Sequence, residues 1–146
     1  MIRLPAAALE RIREHARDAY PRECCGALLG RASHNHRASK EVARAVALAN
    51  ATLEMAERRY LIPGATVREI GRGAEHDGLE IVGFYHSHPD HPPEPSGLDR
   101  EQAWPWYTYL IVGARSDDTG PVRAWQLVDD GLLFAEEELT IVREDT

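Results

Sequence analysis

With 146 residues, 43% of them hydrophobic and 28% charged, the chain has the balance of one folded domain rather than of a disordered segment. A formal charge of −7 with no basic run argues against a phosphate-binding surface, and so against a nucleic-acid partner. The opening stretch MIRLPAAALERIREHARDAY is broken by charges and reads as neither signal peptide nor membrane span. The adjacent cysteines Cys24 and Cys25 are poorly placed for an ordinary disulfide, which together points to a reduced, cytoplasmic setting.

Leu9, Ile12, Ala16 and Ala19 recur at helical spacing behind Pro5, which predicts a helix over residues 5–19. CCGALLG (24–30) is a short apolar run closed by glycine and is expected to be a buried strand. EVARAVALAN (41–50) alternates weakly and reads as a strand, although its alanines also allow a helix. RRYLIP (58–63) reads as a short strand and GATVREIGRGAEH (64–76) as a helix. LEIVGFYHSH (79–88) is expected to be a strand and SGLDREQAW (96–104) a short helix. YTYLIVGA (107–114), VRAWQLV (122–128) and LLFAEEELTIV (132–142) are expected to be three further strands. Strands and helices mixed around one sheet make an α/β or α+β fold, with one domain over 1–146 and no repeat or long linker.

One stretch carries chemistry: FYHSHPDHPPEPSGLD, residues 84–99. Side chains at i and i+2 of a strand share a face, so His86 and His88 project together. Two imidazoles can hold one metal ion, and Asp99 can supply a third ligand, which leaves a tetrahedral position open as in a catalytic zinc site. Pro89, Pro92, Pro93 and Pro95 limit the freedom of the loop that must return Asp99 to the histidines. Each half also has a plainer reading. A His-x-His pair alone is weak evidence, and SGLD also resembles a helix start with Ser96 as N-cap and Asp99 three residues on. The combined spacing is far more specific than either half.

His-Ser-His, seven residues, serine, two residues and aspartate resembles the motif of the JAMM (MPN+) metalloproteases. That family also carries a glutamate before an apolar strand, and PRECCGALLG resembles its E-x-C-G-x-L-x-G form, with Glu23 in that place. The resemblance covers most of the chain. It implies a single domain with a curved mixed β-sheet flanked by helices, of the cytidine-deaminase-like kind. It further implies Zn²⁺ held by His86, His88 and Asp99, Glu23 as general base, and Ser96 as the donor to a developing oxyanion. A small free-standing domain of this type is most similar to the peptidases that process sulfur-carrier proteins, including the kind that releases cysteine from a ubiquitin-like carrier. The implied substrate is a ubiquitin-like or sulfur-carrier protein cut after its Gly-Gly tail, with no nucleic-acid or membrane partner and with room for a homodimer. Residues 55–75 are the expected part of the carrier contact. A non-catalytic interaction module of the same fold stays open as an alternative, as does a hydrolase of the same chemistry acting on another peptide.

Other residues are expected to stay outside the site. His34 and His36 form a second His-x-His pair in a polar loop and read as solvated surface. His91 lies in the proline loop but outside the ligand set, and His15 and His76 have no constellation of chemistry-bearing residues around them in the sequence. Cys24 and Cys25 read as small buried residues rather than nucleophiles. Trp104, Trp106 and Tyr107 are expected in the core, with a wall of the substrate groove as the alternative.

Overall fold

A computed structural model describes residues 1–33, 39–128 and 133–143. Its elements are β1 (Ile2–Pro5), α1 (Ala6–Ala19), β2 (Cys25–Ser33), β3 (Ser39–Leu48), α2 (Gly64–His76), β4 (Glu80–Pro89), α3 (Gly97–Gln102), β5 (Thr108–Ala114), β6 (Thr119–Val128), β7 (Leu133–Glu137) and β8 (Leu139–Val142). The strands form one sheet in the order β7-β6-β5-β4-β2-β3-β1-β8. β4 runs parallel to β5, and β1 runs parallel to both β3 and β8, while the other described pairs are antiparallel. The result is the mixed α+β fold that the residues implied, with a curved sheet flanked by helices.

The central strands explain why their sequences read as nearly unbroken apolar runs. β5 is buried along its whole length and β4 along all but its first residue, because helices cover both faces. On one face α1 brings Leu9, Ile12 and Ala16 against Leu28, Val82, Tyr85 and Leu110. On the other, α2 and its flanking segments bring Ala74 and Leu79 against Leu29, Ile81, Phe84 and Tyr109. Gly83 is required where β4 meets β5, since a Cβ there would lie 2.2 Å from the carbonyl oxygen of Thr108.

Three stretches depart from the sequence reading. Residues 58–63 are not a strand. Their backbone is captured by a side chain instead: Asn50 Nδ2 donates to Arg59 O at 2.9 Å, and Leu61 N donates to Asn50 Oδ1 at 3.0 Å. The acidic run EEE divides the stretch at 132–142, whose described part is two strands meeting at Glu138. These two, β7 and β8, lie at opposite ends of the strand order, so the sheet must curl until its ends approach. β1 was not expected at all. Its alternation, with Ile2 and Leu4 fully buried and Arg3 exposed, is too short to stand out from the helix behind it. The pair His34–His36 lies outside the described residues.

Candidate metal centre and active site

The site is assembled where the start of β2 is welded to the end of β4. The Ser87 hydroxyl accepts from Cys24 N at 2.8 Å and Ser87 N donates to Cys24 O at 3.1 Å, while Cys25 pairs with His86 across the sheet. Glu23, the residue before this weld, is thereby brought to the two histidines. The middle serine of His-Ser-His is itself fully buried, and the sequence reading gave it no role although the motif contains it.

Asp99 arrives from the other side, on the first turn of α3. Ser96 is the N-cap, its Oγ accepting from Asp99 N at 3.1 Å, and Asp99 Oδ2 accepts from Ser96 N at 2.9 Å. This is a reciprocal capping box with aspartate in place of the more usual glutamate. The plain helix-start reading of SGLD is correct, and the same bonds hold the Asp99 carboxylate still.

Glu23, His86, His88 and Asp99 each offer one ligand atom, and these atoms lie within 4.8 Å of one another. All four side chains are buried. His86 Nε2 and His88 Nε2 are 3.2 Å apart, and Asp99 Oδ2 lies 3.2 Å from the first and 2.9 Å from the second. Ligand atoms about 2.0–2.1 Å from a tetrahedral ion stand roughly 3.3 Å apart, so this triangle has close to the right edge length.

Hydrogen bonding makes the same point independently. His88 Nδ1 is 2.9 Å from Pro92 O, an acceptor, so the proton belongs on Nδ1 and the lone pair on Nε2. That lone pair faces the Asp99 oxygen, which is also an acceptor. Two acceptors can meet only across a cation: a proton in the metal-free protein, which makes His88 an imidazolium donating to Asp99, or a metal ion, and the N,N,O donor set suits a divalent one.

Electrostatics separate the two carboxylates. Burial pushes the Glu23 carboxyl up to about 8, reinforced by the Asp99 charge and opposed by His88. Burial would also raise Asp99, but the charge of His86 and hydrogen bonds from both imidazoles and Ser96 N–H outweigh it and hold Asp99 well below the usual range. Burial lowers His86, whereas the bonds of His88 to Asp99 and Pro92 overcome burial and raise it. One carboxylate is built to stay charged and the other to hold a proton near neutrality. Glu23 Oε1 is buried without a hydrogen-bond partner, as is His86 Nδ1.

A cleft of about 460 Å³ opens beside this cluster, lined by Glu23, His88 and Ser96 together with Glu57, Arg58, His91 and Glu94. Ser96 thus faces the same space as Glu23. His91 reaches the rim but not the cluster. His15 bonds Tyr85 Oη at 2.8 Å and His76 is exposed at the end of α2. Both cysteines are buried and free, their thiols raised by burial to about 11 and about 12. Trp106 and Tyr107 pack against the core, but Trp104 is 68% exposed and is not a core residue. Tyr60 was missed: its ring stacks on His86 with centroids 4.5 Å apart. No sequence signal links residues 60 and 86.

The chain is also similar to known proteins. The family model described as prokaryotic homologs of the JAB domain matches residues 5–128. A desampylase of Haloferax volcanii is 40% identical over 113 residues, covering 74% of this chain and 77% of that protein. A probable TtuB-protein conjugate cleaving protease of Thermus thermophilus is 31% identical over 124 residues, covering 85% and 74%. The solution structure of a Desulfitobacterium hafniense protein superposes with a TM-score of 0.82 at 29% identity, over 99% of this chain and 94% of that one.

Proposed function

The chain belongs to the family of prokaryotic homologs of the JAB domain, and on that premise we propose that it is a zinc-dependent isopeptidase. It would cut the bond that joins the C-terminal Gly-Gly of a ubiquitin-like or sulfur-carrier protein to an amine. The observation that carries this reading is the buried Glu23–His86–His88–Asp99 cluster opening on a cleft. The names of the two relatives, a desampylase and a protease that cleaves TtuB conjugates, support the class of substrate.

His86, His88 and Asp99 would hold the ion. Zinc at such a site supplies a Lewis acid that acidifies water and polarises a carbonyl. Glu23 would take the proton of the attacking water and deliver it to the leaving nitrogen, a task suited to a carboxyl whose proton affinity lies near neutrality. The Ser96 hydroxyl accepts from Asp99 N, which leaves its own hydrogen for the oxygen of the scissile carbonyl. The proline loop is tied to His88 through Pro92 O. No side chain becomes covalently attached. Two free, buried thiols suit a reducing cytoplasm, where we place the reaction.

The test is to incubate the purified protein with a carrier joined through its terminal glycine to a lysine of a second protein and to weigh the products. The expected products are the intact second protein and a carrier ending in a free Gly-Gly carboxylate. A conjugate of unchanged mass would refute the proposal, and cleavage inside either protein would make the enzyme a general peptidase.

A further inference from the structure

Glu23 stands outside the strand ladders, which begin at Cys25. Its own backbone is held by one segment. Glu23 N donates to Ala56 O at 2.7 Å, and Glu23 O accepts from Asn50 Nδ2 at 3.1 Å. Both partners belong to residues 50–61, a stretch with no helix or strand to stiffen it.

That stretch is closed by the same asparagine. Asn50 Nδ2 also donates to Arg59 O at 2.9 Å, and Asn50 Oδ1 accepts from Thr52 N at 3.2 Å and from Leu61 N at 3.0 Å. A backbone bond from Ala51 N to Leu61 O at 3.0 Å runs alongside. One amide thus makes four hydrogen bonds, two as donor and two as acceptor, which uses its ordinary capacity in full. The loop it closes presents the Ala56 carbonyl to Glu23 and lays Tyr60 on the His86 ring. The metal-binding side chains are anchored otherwise, His86 and His88 on β4 and Asp99 by Ser96.

We propose that Asn50 is a positioning residue for Glu23, clamping residues 51–61 so that the proton-carrying carboxylate is set against the three ligands. This role rests on the isopeptidase reading only for its kinetic consequence. Removing the clamp frees the segment that holds Glu23 while leaving β4 and α3 in place. A displacement of about 1 Å at a catalytic group can cost about 10²-fold in rate, so the loss should fall on turnover rather than on substrate binding.

The experiment uses Asn50→Ala and the isosteric Asn50→Asp. The latter keeps the acceptor contacts to Thr52 and Leu61 but loses both donated bonds, and it serves if the alanine variant does not fold. Amide exchange is measured on the whole chain, zinc affinity by chelator competition, and kcat and KM on the carrier conjugate. In Asn50→Ala the Glu23 and Leu61 amides should exchange faster while those of β4 stay protected and zinc affinity holds. kcat should fall about 10²-fold, well beyond any change in KM from Glu57 and Arg58 at the cleft. In Asn50→Asp the Leu61 amide should stay protected while kcat falls as far. A Glu23 amide as protected as in the wild type in either variant, or a Leu61 amide so protected in Asn50→Ala, would overturn the clamp. A general rise in exchange across the sheet, or wild-type kcat with a freed loop, would overturn the positioning role. A wild-type protein inactive on every conjugate would count against the isopeptidase reading alone, since the exchange measurements would still decide the clamp.

Discussion

At the scale of single residues the site depends on two carboxylates kept apart in proton affinity, Asp99 charged and Glu23 raised. Glu23→Gln preserves shape but cannot accept a proton. It should keep zinc content and fold while cleavage falls about 10²–10⁴-fold, checked by elemental analysis beside a turnover assay. Loss of zinc in that variant would make Glu23 a ligand instead. The same carboxyl predicts a pH dependence in the metal-free protein. Its affinity for a proton is higher folded, at about 8, than unfolded, at 4.5. The stability it contributes is therefore present below pH 4.5 and is lost as pH rises from there through about 8. Urea unfolding at pH 5 and pH 9 should show the metal-free wild type losing on the order of 4 kcal/mol more than Glu23→Gln across that interval. Equal losses would mean that Glu23 is not desolvated.

Among the elements, those with a long period or a complete face were legible in the sequence, and those defined by a distant partner were not. The apolar run at 79–88 and the spacing of Leu9, Ile12 and Ala16 announced β4 and α1, because burial there follows the local pattern. The segment 58–63 has the apolar character of a strand, yet Asn50 takes the hydrogen bonds that a neighbouring strand would need. The break at Glu138 depends on β8 pairing with β1, a contact between opposite ends of the chain. At the site, the His-x-His and Ser-x-x-Asp spacing pointed to His86, His88 and Asp99, because one strand and one helix cap fix them. Tyr60 and Asn50 act through tertiary contacts with no fixed spacing, and Ser87, although inside the motif, acts through the distant Cys24. The ladder of β4 with β2 and β5 involves no ligand side chain, so the metal should not be needed to hold the sheet. Stripping it with a chelator should leave the strand amides protected in hydrogen exchange and speed exchange only around residues 89–98. General loss of protection would mark the ion as structural.

For the whole molecule, a curled sheet with helices on both faces leaves the cluster at the end of β4, in a cleft rather than a closed cavity. An extended glycine tail could enter it without side-chain clash, and the body of a carrier would then rest on the surface around the cleft. Binding energy from that body, remote from the scissile bond, should be used in turnover. A whole conjugate should therefore be cleaved much faster than a short Gly-Gly peptide, and equal efficiency would favour a small-peptide hydrolase. The proposed conjugate cleavage turns on one zinc ion held by His86, His88 and Asp99. Zinc is added in steps to the metal-free protein while conjugate cleavage is followed. Cleavage should be absent without metal, rise linearly, and break at about one equivalent per chain. Cleavage at full rate by the metal-free protein, or an intact conjugate at one equivalent and beyond, would contradict the proposal.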